Sequence, residues 1–251
     1  MVASNLKFHP DAAFVVAGQP ITQTQFFADI AAYQSKLTAL KTGSHVVLFH
    51  PDTYQFAVRL FALACSGHNV ILPPNGQHET LSLLLAQSAF FAGDATNIDD
   101  DVLFTNLEHS QGYRPLQTNR LQWPINTAVI FYTSGSSGQS KPIVKPWRVL
   151  NRELAVLSMS FDLPRQFTFL ATVSHQHIYG LLFRLLWPLS KGHIIDSEQI
   201  QYPEHIAQRL KTIRYAVLVS SPAQLGRLCA DNVLIPERDK IKWLFSSGGP
   251  L

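Results

Sequence analysis

Short apolar runs of strand length alternate with stretches of helical periodicity along most of the chain, and this alternation constrains the fold most. Strands in such an order pair in parallel, and the crossover helices pack on the sheet faces. In residues 22–40, Phe26, Phe27, Ile30, Tyr33, Leu37 and Leu40 recur at helical spacing. Thr22, with Gln25 three residues on, forms a capping-box pattern at the start. Residues 45–49 read as a buried strand. Residues 52–65 read as a helix capped by Asp52, apolar almost all round and therefore sandwiched. Strand 69–72, helix 79–88 and a short strand at Phe90 follow; 93–124 is patternless and expected as loops, and 127–132 is a strongly apolar strand. The second half reads as helix 150–160, strand 167–173, helix 178–187, strand 193–195, helix 204–211, strand 215–219, helix 221–230 and strand 242–245. The expected fold is α/β: two lobes of βα units with largely parallel sheets, residues 1–145 and 146–251, meeting near the 133–146 loop.

Composition narrows the function classes. Apolar residues are 46% and charged residues 15% of the chain, which is a globular balance and the reverse of a disordered one. The net charge is +3, and the twenty Lys and Arg are scattered, so no basic stripe offers itself to nucleic acid. Cys65 and Cys229 stand alone in apolar stretches, the pattern of buried thiols in a reducing cytosol rather than of a disulfide framework. No apolar stretch reaches the ~18 residues of a membrane span, so the expected setting is cytoplasmic.

The chemistry concentrates in residues 132–142, Tyr-Thr-Ser-Gly-Ser-Ser-Gly-Gln-Ser-Lys-Pro, delivered by the apolar strand before it. Thr133, Ser134, Ser136 and Ser137 supply hydroxyls, and Gly135 and Gly138 allow the backbone to turn its N–H groups toward an anion. Lys141 adds a mobile positive charge for outer phosphates. Most Ser-Gly clusters are ordinary loops; position after a buried strand, with a closing lysine, sets this one apart. A Walker loop fails on spacing, because Ser140 precedes Lys141 and Pro142 follows it. Lys145 is a competing lysine, read as solvated surface, and Arg148, Arg152 and Glu153 are explained by helix-surface electrostatics. His175 and His177 would share a strand face, but no third ligand stands near them, so no metal site is expected. No Gly-x-Ser-x-Gly elbow frames a hydrolase serine. Taken alone, His177 reads as a core or capping histidine and Tyr179 and Trp187 as packing.

The run from Thr133 to Lys141 resembles the phosphate loop of the AMP-forming superfamily of acyl- and aryl-CoA synthetases, peptide-synthetase adenylation domains and luciferases. Ser137, Ser140 and Pro142 replace the usual threonine, proline and glycine, and Lys141 stays in register. Residues 63–73, Leu-Ala-Cys-Ser-Gly-His-Asn-Val-Ile-Leu-Pro, and the helical start at Thr22 resemble earlier family segments. Residues 174–180, Ser-His-Gln-His-Ile-Tyr-Gly, followed by Leu189-Ser190-Lys191-Gly192, resemble the histidine-containing segment beside the acyl pocket. Residues 245–251, Phe-Ser-Ser-Gly-Gly-Pro-Leu, resemble the segment that helps hold adenine and substrate.

The resemblance implies an ATP-dependent ligase. A fatty or aromatic carboxylic acid would form an acyl-adenylate and then a thioester to CoA or an acyl carrier protein. It assigns ATP phosphates to Thr133, Ser134, Gly135, Ser136, Ser137, Gly138 and Lys141, adenine or substrate to Gly248, Gly249 and Pro250, and the acyl pocket to His177, Tyr179 and Gly180. ATP and Mg2+ are the implied cofactors, with most magnesium ligands expected beyond Leu251. A Thr-Glu motif, a ribose-binding aspartate, a hinge and a C-terminal domain with a catalytic lysine are likewise expected there. The chain is thus expected to be the N-terminal part of such an enzyme, inactive by itself. The alternative is a non-catalytic nucleotide- or acyl-binding module. Leu181, Leu182 and Phe183 hint at an apolar acid.

Overall fold

The computed structural model describes residues 4–7, 14–37, 40–86, 90–94, 120–123, 127–133, 141–163, 166–230 and 232–249. Strands β1 (Ser4–Lys7) and β7 (Arg120–Trp123) form a small antiparallel pair. The first large sheet runs β6 (Phe90–Gly93), β4 (His45–Phe49), β5 (Asn69–Leu72), β8 (Ala128–Thr133), β9 (Lys141–Pro146). All its pairings are parallel except β8 with β9. The second runs β13 (Ile241–Ser246), β12 (Ala216–Ser220), β10 (Thr168–Ala171), β11 (Ile194–Gln199), β2 (Phe14–Val16), β3 (Gln19–Ile21). Only its last pair is antiparallel. Two largely parallel sheets with helices are what the alternation predicts.

The expected boundary at 145 divides the chain but not the sheets, because β2 and β3 complete the sheet otherwise built from the second half. Ala17 and Gly18, both at positive φ (48° and 80°), make the two-residue turn between these strands. That backbone matches the twist of a tight hairpin, and Gly18 adopts it without a steric penalty.

Helix α1 (Gln23–Lys36) starts where predicted: the Thr22 hydroxyl accepts from Gln25 N at 3.2 Å. The Gln25 side chain does not reach back to close the capping box; its amide donates to Asp29 Oδ1 at 2.7 Å. Helix α2 (Thr53–Cys65) is capped by Asp52, whose carboxylate accepts from Gln55 N at 2.8 Å. Each such cap stabilises its helix by about 1 kcal/mol. From Thr53 to Ala64 every side chain of α2 except Gln55 is buried. The helix packs against β4 and β5 of one sheet and β11 of the other, so it is the sandwiched element the sequence called for. One apolar core spans both sheets, taking in Phe14, Phe61, Trp147, Trp187 and Phe245.

Helices α3 (His78–Leu85), α4 (Trp147–Ser160), α7 (Pro203–Thr212) and α8 (Pro222–Ala230) lie within a few residues of their predicted positions. The predicted helix 178–187 is longer and irregular. It comprises α5 (Ile178–Gly180), a π-helical stretch Leu181–Leu186 and α6 (Trp187–Lys191). Trp187 N donates to Leu182 O, five residues back, at the end of that stretch. Among the described residues no helix is long and apolar enough to cross a membrane.

Candidate functional site

Strand β8 is held between β5 and β9, and its Ala128–Phe131 side chains are buried. It ends at Thr133, and the chain re-enters the sheet as β9 at Lys141. Residues 133–146 were expected as loop, but 141–146 is a strand. Thr133 and Lys141 are register partners, so residues 134–140 connect the two arms of a hairpin at the carboxyl end of a parallel sheet. That end is where open α/β sheets bind ligands. Pro142 and Pro146 obscured the strand in the sequence. Trp147 N donates to Thr127 O at 3.1 Å; counting alternate pairs from there puts both prolines opposite Tyr132 and Ala128 at non-hydrogen-bonded positions. Their nitrogens face the open edge and no ladder donor is lost. Lys141 is exposed. Ser134, Gly135, Ser136, Ser137 and Gly138 lie outside the described residues. Lys145, expected as a solvated surface lysine, is half-buried and pairs with Glu153 on α4.

In the second sheet, residues 172–177 lead from β10 into α5. Arg184, fully buried, ties this segment to β11: Nη1 donates to Val173 O at 2.7 Å and Nη2 to Ser197 O at 2.9 Å. Burial pulls its pKa down to about 10, against the favourable fields of Asp196 and Asp52. His175 is 1% exposed. Its Nε2 meets the His50 carbonyl at 2.8 Å and its Nδ1 the Thr53 hydroxyl at 3.0 Å. Burial, reinforced by the Arg184 charge, holds its pKa well below the ordinary histidine value, so the ring is neutral. Gly180 has to be glycine here, since a Cβ would fall 1.9 Å from Ser174 O.

His177 lies between these anchored positions and is exposed, with no side-chain hydrogen bond to the helix it caps. Partial burial still lowers its pKa. Tyr179 packs its ring against Phe183 at 4.9 Å, and its hydroxyl has no partner among the described residues. Leu181 and Leu182 are buried in the core, so the hint of an apolar acid rests on Phe183 and Tyr179 alone. Trp187 is fully buried among Phe161, Phe169, Phe183 and Phe245, a packing residue as read.

At the carboxyl end of β13, Gly248 adopts φ +104°, a conformation side chains resist, and Gly249 lies beside Pro222 at the start of α8. Pro250 lies outside the described residues. On neighbouring strands, the Thr172 and Ser220 hydroxyls meet at 2.8 Å. The predicted residues therefore follow β8 in one sheet and β10 and β13 in the other.

A cavity of about 540 Å³ opens between the two sheets, where the β4–α2 loop faces Ser174, His175 and Gln176 and the end of β11. His177, Tyr179 and Gly180 are not among its walls. A larger hollow of about 800 Å³ lies by Asp196, Arg209 and Tyr215 and contains none of the predicted residues. Arg209 is occupied there by Asp196 at 2.9 Å and Glu198 at 2.7 Å. Among the described residues no three His, Cys, Asp or Glu gather as a metal site. Sequence reading missed the Thr53–His175 and Arg184 contacts, which join residues with no local pattern between them.

Known structures share this architecture. An o-succinylbenzoate coenzyme A synthetase from Bacillus subtilis, in complex with AMP, superposes with TM-score 0.78 at 14% identity over 97% of this chain and 66% of that one. ATP-bound MatB from Rhodopseudomonas palustris gives 0.72 at 16% identity over 96% and 53%. A malonyl-CoA ligase in a product complex with methylmalonyl-CoA and AMP gives 0.72 at 20% over 94% and 52%. At such identities the likeness concerns the fold. The chain spans between about half and two thirds of the length of these structures. No curated protein sequence matches it. The profile of the AMP-binding enzyme family matches residues 2–251, and the chain belongs to that family.

Proposed function

We propose that this chain supplies the ATP-phosphate and acid-binding side of a ligase that activates a carboxylic acid as its acyl-adenylate. The observation that carries the reading is the pairing of Thr133 with Lys141 at the carboxyl end of a parallel sheet. In the proposed reaction a carboxylate oxygen attacks the α-phosphorus of ATP and pyrophosphate leaves. The hydroxyls and amides of 133–138 and the Lys141 ammonium orient and neutralise the departing phosphates, where preorganised donors contribute most. Magnesium would accompany those phosphates and share their charge.

His177 and Tyr179, held in place by the close approach of Gly180 to Ser174, would border the acid, and Gly248, Gly249 and Pro250 the adenine. A thiol of CoA or of a carrier-protein phosphopantetheine would then attack the acyl carbonyl and release AMP. The apolar Tyr179–Phe183 pair favours an acid with a fatty or aromatic body. The test is carboxylate-dependent ATP–pyrophosphate exchange by the full-length protein across fatty, aromatic and dicarboxylic acids. Exchange is expected with at least one apolar acid. ATP binding without exchange for any acid would favour a non-catalytic nucleotide-binding role.

A further inference from the structure

The two halves of the proposed site sit on different sheets, so their alignment depends on what holds the carboxyl ends of those two sheets together. His175 makes such a joint. It comes from the β10–α5 segment, and both its ring nitrogens bond across to the β4–α2 junction, to the Thr53 hydroxyl in the first turn of α2 and the His50 carbonyl just after β4. Its ring lies against Phe56 of α2, centroids 4.3 Å apart. The Gln176 amide also reaches the His50 carbonyl, at 3.5 Å. We infer that His175, held by Thr53, is a positioning residue that sets the His177 segment against the phosphate-bearing sheet.

A carbonyl oxygen only accepts, so Nε2 carries the proton toward His50 and Nδ1 accepts from the Thr53 hydroxyl. That leaves one ring orientation and one tautomer. Thr53 and His175 are both buried, at 0% and 1% exposure. An apolar pair would fill the same space; what the hydrogen bonds add is direction and a single arrangement. Gly180 closes onto Ser174 O on the far side of the segment, so His177 lies between two fixed points two and three residues away. Its own side chain is exposed. The inference rests on the proposed adenylating function for its consequence, since misplacing a substrate-facing group by about 1 Å can cost ~100-fold in rate.

The test compares Thr53→Val, which removes the donor and keeps the shape, with Thr53→Ser, which keeps the hydroxyl, in the full-length protein. Histidine-ring nitrogen-15 spectra should show His175 losing its single tautomer and His177 shifting in Thr53→Val but not in Thr53→Ser. In acid-dependent exchange, Thr53→Val should raise the KM for the acid about tenfold, with the KM for ATP unchanged and Thr53→Ser close to wild type. A lower melting temperature with unmoved His177 signals and an unchanged acid KM would overturn the inference and leave His175 as packing. If no variant and no wild type exchanged with any acid, the adenylating reading would fail, while the His177 shift would still decide the positioning role.

Discussion

Thr133 and Lys141 face each other as the last register pair of the β8–β9 ladder. The ladder fixes the backbone at Lys141 while its side chain stays exposed. Replacing Lys141 with Ala should therefore lower kcat/KM for ATP by about 100-fold, the scale of losing one preorganised charge donor. Stability should change by less than about 0.5 kcal/mol, as at other exposed positions. Lys145→Ala, which breaks the Glu153 pair, should change ATP kinetics less than about threefold. Exchange kinetics with urea unfolding checks all three; equal losses in both variants would remove Lys141 from the phosphate site.

Gly180 and Gly226 give opposite expectations from the same substitution. A Cβ at Gly180 would sit 1.9 Å from Ser174 O, whereas at Gly226, on α8, nothing lies within 4 Å. Gly180→Ala should destabilise by about 2–3 kcal/mol or more, because the clash is with backbone. Gly226→Ala should stabilise by about 0.5–1 kcal/mol through helix propensity and unfolded-state entropy. Denaturant midpoints measure both.

These residues also show what sequence can and cannot reveal. The caps at Thr22 and Asp52 and the strands β4 and β5 were legible because each is decided by a few adjacent residues. Strand β9 was hidden because an exposed antiparallel edge needs neither apolar alternation nor a full set of N–H donors, so its two prolines read as loop. The β2–β3 hairpin is three residues a side and turns at Ala-Gly, too short and too unlike Asn-Gly to register. The Thr53–His175 bond spans 122 residues of sequence, and only the packing of α2 between the sheets brings the two together. The Ser-Gly motif was plain in the sequence, yet the pairing of Thr133 with Lys141 at its two ends required the register of β8 and β9.

Stability should fall in mild acid. Burial lowers the pKa of His50 to about 4, with the Arg59 charge adding to it, and that of His193 to about 4, with Lys191 adding. His175 is held lower than normal as well. Unfolded histidines titrate near 6.5, so between about pH 6.5 and 4 the unfolded state binds more protons. The stability these neutral rings contribute is fully present above about 6.5 and is lost as pH falls toward 4. His50 and His193 account for about 3 kcal/mol each over that window. Unfolding free energies measured from pH 7 to 4.5 should decline steeply, and His193→Asn should flatten the slope; a level profile would contradict the neutral buried rings.

His177→Ala should alter which acids are accepted, or slow the thiol step, and leave the KM for ATP within about twofold, as a change in substrate-side contacts does. The exposed ring makes no side-chain hydrogen bond to the helix it caps, so unfolding stability should hold. A panel of acids of different length and aromaticity measures this; uniform losses with reduced stability would mark the residue as packing.

The most direct test of the central claim follows the oxygen atoms. If a carboxylate attacks the α-phosphorus, an acid labelled with oxygen-18 in its carboxyl group passes one labelled oxygen to AMP when a thiol takes the acyl group. Mass spectrometry of the full-length protein's products, with ATP, labelled acid and CoA or a carrier protein, should find the label in AMP and unlabelled pyrophosphate beside it. Label in inorganic phosphate with ADP as the nucleotide product would mean attack at the γ-phosphorus, and would contradict the account.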